Sequence, residues 1–153
     1  MVLMQNLPEQ TQINLTKLPC PTFEARPWVH NKPLSEQRVA MVSSAGIHLR
    51  DNRRFGGGDG DYREIPGDTS AEDILMSHVS VNYDRTGFQQ DINTIFPLDR
   101  MAELAAEGFI GSVADTHYSF MGATDPVRME DDARELGRRL KDDGVDSAIL
   151  LPV

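Results

Sequence analysis

Hydrophobic residues in this chain gather into short runs between long polar stretches, and the runs follow two periods. Residues 38–49 (RVAMVSSAGIHL) open on a valine-rich strand pattern that breaks at Ser43, Ser44 and Gly46, which predicts a strand passing into a loop. A second short strand is predicted over 77–81, and residues 110–121 (IGSVADTHYSFM) read as a strand with its outgoing loop. Around 97–107, Leu98, Met101, Ala102 and Ala105 recur on one helical face, with Pro97 suited to the first turn and Gly108 to the stop. A second helix is predicted from about 126 to 143. Its apolar face is Met129, Ala133, Leu136 and Leu140, its cap Asp125 and its stop Gly144. Acids at 130–132 and Arg138, Arg139 and Lys141 near the far end complement the helix dipole. The last run, residues 145–153 (VDSAILLPV), reads as a buried strand.

The polar stretches complete the outline. Residues 1–37 hold Pro8, Pro19, Pro21, Pro27 and Pro33 and no sustained period, so they are expected to form an extended arm over a core that spans 38–153. Residues 51–73 are polar and glycine-rich and read as one long loop. The order of strand, long loop, strand, helix, strand, helix, strand predicts an α/β fold with a mainly parallel sheet and flanking helices.

Composition narrows the function. The formal charge of −9 over 153 residues, with scattered arginines and no basic stripe, argues against nucleic acid. No apolar stretch approaches the ~20 residues that cross a bilayer, and the N-terminus lacks the order of a secretion signal, so no membrane role and a cytoplasmic location are expected. The single Cys20 cannot form an intrachain disulfide or assemble a metal site by itself.

Several segments carry residue types with chemical potential. GGGDGD at 56–61 lacks the Lys-Ser/Thr pair of a phosphate loop and the spacing of a calcium loop, and reads as a flexible loop. His48, His78 and His117 each fall at or beside a predicted strand end, where edge loops could bring them into one cleft with Asp84, Arg85 or Asp115. The bland alternative is that each bonds to local backbone; no tight ligand spacing points to a metal. Ser43, Ser44 or Ser119 could anchor a substrate carboxylate, and no Gly-x-Ser-x-Gly elbow supports serine hydrolysis.

Four segments, RVAMVSSAGIHL, GDGDYREIP, SHVSVNYDRTGFQQDINTIFPLDRMAELAAEGFIG and THYSFMG, together resemble the selenoprotein B family. That family contains the catalytic subunits of glycine, sarcosine, betaine and D-proline reductase; the resemblance covers about residues 28–153 and is strongest to its shorter members. In the family, the strand similar to AILLPV is followed by selenocysteine or cysteine. The resemblance therefore implies that the nucleophile lies just past Val153 and that the chain as given is catalytically incomplete. A UGA codon read as a stop, a chosen domain boundary or a short paralogue would each give this end.

The implied chemistry is reductive C–N cleavage. A substrate amine, commonly activated as a Schiff base on a partner's pyruvoyl group, is displaced from carbon by a selenolate, and thiols complete the reduction. This implies a small-molecule substrate, a pyruvoyl-bearing or thiol redox partner protein, selenocysteine in the complete protein and no cofactor or metal held by this chain. His48, His117 and Asp84 are the candidates for proton transfer. Ser44, Arg63, His78, Arg85, Tyr118 and Ser119 are the candidates for substrate binding, Arg63 through a bidentate carboxylate pair. A terminal apolar strand without its covering elements is expected to self-associate, most simply as a homodimer. Two other readings stand beside the reductase: a small-molecule or metal-binding module at the histidine edge, and a non-catalytic subunit of a hetero-oligomer.

Overall fold

Strand β1 (Arg38–Ser43) is buried along nearly its whole length, the signature of a strand covered on both faces, and the rest of the fold is organised around it. The computed structural model describes residues 3–17, 22, 28–80 and 83–153. The chain turns at Gly46 into β2 (Ile47–Leu49), continues through β3 (Tyr62–Pro66) and pairs β4 (Ile74–Met76) antiparallel to β2. Beyond them lie β5 (Ser112–Val113), β6 (Thr116–Phe120) and β7 (Ser147–Leu151).

Strand β7 pairs in parallel with β1 from Val39 to Ser43 along one edge. β5 and then β6 pair in parallel with the same strand and must therefore use its other edge. β3 adds antiparallel outside β6, so the main sheet runs β3, β5/β6, β1, β7, and is mixed rather than wholly parallel.

Each face has its own apolar layer. Val39, Met41, Ile65, Phe96 and Met101 fill one, beneath α2 (Thr86–Gln90), α3 (Leu98–Ala106) and the β2–β4 pair. Val42, Tyr62, Tyr118, Phe120 and Leu136 fill the other, beneath α4 (Glu130–Asp142). The 3-10 turn Pro126–Met129 leads into α4, and the Asp125 carboxylate accepts the Val127 N–H at 3.0 Å. Gly108 and Gly144 leave α3 and α4 with φ of +73° and +69°, as their placement predicted. Ala102 and Ala133 are exposed, so the buried stripes are narrower than their periodicity implied.

The structure corrects several expectations. The N-terminal segment is not extended throughout: α1 occupies Glu9–Thr16, and with no buried residue it shows no amphipathic period to read. The stretch 51–73 is not one loop, because YREIP buries Arg63 and Ile65 and forms β3. The second strand lies at Ile74–Met76, upstream of the expected 77–81, of which Val81 lies outside the described residues. GGGDGD is docked rather than loose. A Cβ on Gly60 would stand 2.3 Å from the Arg128 carbonyl oxygen and one on Gly58 2.6 Å from the Arg128 guanidinium, so the loop lies against the turn before α4. β7 is not buried; Ala148, Ile149 and Leu150 are exposed at the open edge of the sheet, while Leu151 and Val153 pack on the core. Cys20 lies outside the described residues.

Candidate functional site at the carboxyl edge of the sheet

Strands β1, β6 and β7 end side by side, with Ser43 opposite Ser119 on one flank and Leu151 on the other. A chain leaving a parallel sheet there must find partners for amides that no longer have a ladder. Serines supply them. Ser43 Oγ accepts the Ala45 N–H at 3.1 Å, and Ser119 Oγ accepts the Ile47 N–H at 3.0 Å. Ser44 binds the end of β7 and the residues after it: its N–H donates to the Leu151 carbonyl at 3.0 Å, and its Oγ accepts the Val153 N–H at 2.8 Å. Its own carbonyl takes the Gly122 N–H at 2.9 Å. Ser44 is thus the joint between β1, β7 and the exit from β6. Ser44→Ala is expected to cost about 1 kcal/mol, with hydrogen exchange accelerated at the Val153 amide; an unchanged exchange rate there would refute the clamp.

Gly46 brings the next group to this edge. Its N–H reaches the Phe120 carbonyl and its carbonyl takes the Ser77 N–H, so His78 is carried alongside. His78 is 6% exposed; Nδ1 accepts the Ser80 N–H at 3.2 Å, which leaves the proton of the neutral ring on Nε2, a buried atom with no partner among the described residues. Burial, and secondarily the charge of Arg85, lowers its pKa. The Tyr83 ring stands 5.1 Å away, and Arg85 donates to the His78 carbonyl at 2.6 Å. Asp84 accepts the Thr86 N–H at 2.9 Å at the start of α2, and this bond holds its carboxyl below the usual range. Ser44, Ser119, His78 and Arg85 therefore assemble at one edge.

The other candidates lie elsewhere. Because neighbouring residues of β6 face opposite sides, Tyr118 packs beneath α4, edge-on to Tyr62 at 5.5 Å, while His117 and Ser119 face the other layer. His117 is fully buried, and its Nδ1 accepts the Met41 N–H at 3.1 Å, replacing the ladder acceptor lost between β5 and β6. Arg63 is buried over Phe55, 4.2 Å from the ring centre, and donates to the carbonyls of Arg53 and Tyr62. The carboxylates it meets are Asp61 at 2.8 Å and Asp59 at 3.8 Å. His48, on β2, bonds through Nδ1 to the Leu49 carbonyl at 2.7 Å. Among the described residues no group of three His, Cys, Asp or Glu side chains could hold a metal ion.

Gly122 and Tyr83 escaped the sequence reading, and Gly46 was read only as a strand break. Positive φ and close backbone approach leave no mark beyond the glycine itself, and Tyr83 is a lone aromatic in a polar stretch.

Fold and edge define a mixed α/β chain whose parallel strands end at a serine- and histidine-lined crossing. The family profile of glycine/sarcosine/betaine reductase selenoprotein B matches residues 2–152, and the chain belongs to that family. It is 40% identical over 122 residues to D-proline reductase subunit gamma of Acetoanaerobium sticklandii, covering 78% of this chain and 50% of that protein. It is 32% identical to sarcosine reductase complex component B subunit beta of Peptoclostridium acidaminophilum, covering 88% of this chain and 32% of the relative. Glycine reductase complex component B subunit gamma of Symbiobacterium thermophilum is likewise 32% identical, with 88% and 33% covered. The chain thus spans half or less of the length of these relatives. No solved structure matches it. Among the described residues no helix is long and apolar enough to cross a membrane.

Proposed function

We propose that this chain builds the substrate-facing edge of a reductase-complex component that cleaves a C–N bond in a small amino-acid-like substrate, with a selenolate or thiolate placed directly after β7. The Ser44 clamp on Val153 carries this reading: it fixes the backbone that leads to the reactive position at the junction of three strand ends, beside His78. Ligands and reactive groups of α/β sheets collect at this carboxyl edge.

The roles of the chain's own groups follow from their bonding. The buried, unpartnered Nε2–H of His78 would orient a substrate oxygen that reaches it at this edge, and Arg85 holds the His78 carbonyl in place. Proton transfer by Asp84 fits its exposed position beside Arg85, whereas His117 would serve only if the sheet opened. The nucleophile attacks the carbon bearing the activated nitrogen, the C–N bond breaks with its electron pair on nitrogen, and thiols supply the two electrons that release the reduced product. A pyruvoyl-bearing partner would supply the activation, and the relatives' names as subunits and complex components favour work within a hetero-oligomer. The open β7 edge, with Ile149 and Leu150 exposed, is the surface we assign to such pairing, with a partner subunit or with a second copy.

The test has two parts. Genomic sequence after the Val153 codon is expected to show an in-frame UGA or cysteine codon followed by further coding sequence. The protein so extended, with its partners, is expected to reduce glycine, sarcosine, betaine or D-proline with a dithiol, and to lose turnover when the selenocysteine or cysteine becomes serine. Turnover that survives this change would overturn the assignment.

A further inference from the structure

Two consecutive arginines leave the extended stretch before Phe55 with different fates. Arg53 is neutralised by Asp59 at 3.3 Å and Asp61 at 2.8 Å. Arg54 makes no ion pair or hydrogen bond among the described residues, although the chain carries a net charge of −9. Its side chain lines a cleft of about 530 Å³ between the β2–β4 hairpin and α2, within the size range of small-molecule sites.

The other walls are chemically mixed. Ile74, Leu75, Met76 and Phe88 form an apolar side. Ser77 Oγ accepts the Phe55 N–H at 2.9 Å and keeps its own proton free for another acceptor. His48 is 1% exposed, and Leu49 O can only accept, so the proton sits on Nδ1 and the lone pair of the neutral ring on Nε2. His48 is one of the residues lining the cleft.

We propose that this cleft binds a small organic monocarboxylate with an apolar body. Arg54 and Ser77 hold the carboxylate, the Phe88 side covers the body, and His48 Nε2 accepts a hydrogen bond from a donor on the ligand. One guanidinium and one hydroxyl suit a single negative charge, and a largely apolar wall disfavours a phosphate dianion. Neither Ser44 nor Val153 lines the cleft, and nothing in it depends on the identity of the nucleophile.

Amide chemical shifts of the 153-residue chain, titrated with cyclopentanecarboxylate, are expected to move saturably at Met76, Ser77 and Phe88. Arg54→Gln is expected to weaken this binding at least tenfold, to the level of the neutral isostere cyclopentanecarboxamide, with an unchanged circular dichroism spectrum. Arg53→Gln, on the far side of the same stretch, is expected to change it less than twofold. 1-Hydroxycyclopentanecarboxylate, which adds a donor for His48, is expected to bind more tightly than the parent acid. Equal carboxylate binding by the Arg54→Gln chain, or no saturable shift in the native one, overturns the site; equal affinity for the two acids removes His48 from it. Because binding is read without turnover, failure here is distinct from failure of the reductase assignment.

Discussion

Gly46→Val is expected to destabilise the chain by roughly 2–5 kcal/mol, the sum of a left-handed backbone penalty of about 1–2 and an overpacking cost of about 1–3. Gly46 has φ of +64°, where a β-branched residue is strained whatever space surrounds it. There is no space either. A Cβ would stand 2.8 Å from Met121 Cε and 3.2 and 3.3 Å from His78 Cα and N. The methionine tip could swing aside; the His78 backbone can yield only by straining the bond from the neighbouring Ser77 N–H to the Gly46 carbonyl. The same substitution would therefore move His78 away from the sheet edge. Urea unfolding measures the effect, and a valine variant within about 0.5 kcal/mol of wild type, the usual range of inconsequential surface changes, would contradict it.

Acid is expected to weaken the fold through His117. Burial, reinforced by the Arg38 charge, lowers its pKa from 6.5 to about 4. The unfolded chain takes up this proton near pH 6.5, whereas the folded chain holds it off until about pH 4. Between those values the unfolded state binds more protons, so stability rises with pH across the window and is level above it. The loss from pH 6.5 down to 4 is up to about 3 kcal/mol. Carboxylates titrate in the lower part of the window, so the histidine is isolated by comparison with His117→Asn, whose amide oxygen can still accept the Met41 N–H without titrating. The asparagine variant is expected to show the flatter profile between pH 4 and 6.5. Parallel stability curves for the two proteins would mean that the ring is not sealed as the structure has it.

Helices α3 and α4 were legible because Leu98 and Met101, and Leu136 with Met129 and Leu140, repeat at the helical period with glycine stops beyond them. β1 was legible from its valines and the break at Ser43 and Ser44. β3 was hidden because its inward residues are Arg63 and Ile65, and a buried arginine held by carbonyls, two aspartates and a phenyl ring counts as polar in any pattern. β7 misled in the opposite sense: its continuous apolar run is that of a buried strand, yet it stands at the sheet edge with Leu150 72% exposed.

For the site, the residue types were visible in the chain but their grouping was not. His117, Tyr118 and Ser119 are consecutive, and strand alternation sends the middle one to the opposite layer. Arg53 and Arg54 are adjacent, and one is neutralised while the other faces an open cleft.

By itself the sequence determined what is local or cumulative: the helix periods and their glycine stops, the serine break after β1, the acidic charge and the likeness to selenoprotein B. Only the tertiary structure decided which side of each strand is covered, which charges meet, and that Ser44 joins β1 to Val153 across 109 positions of chain. Periodicity records which residues avoid water, but pairing between distant segments is chosen by the shape and hydrogen-bonding needs of the assembled sheet, which no single segment carries.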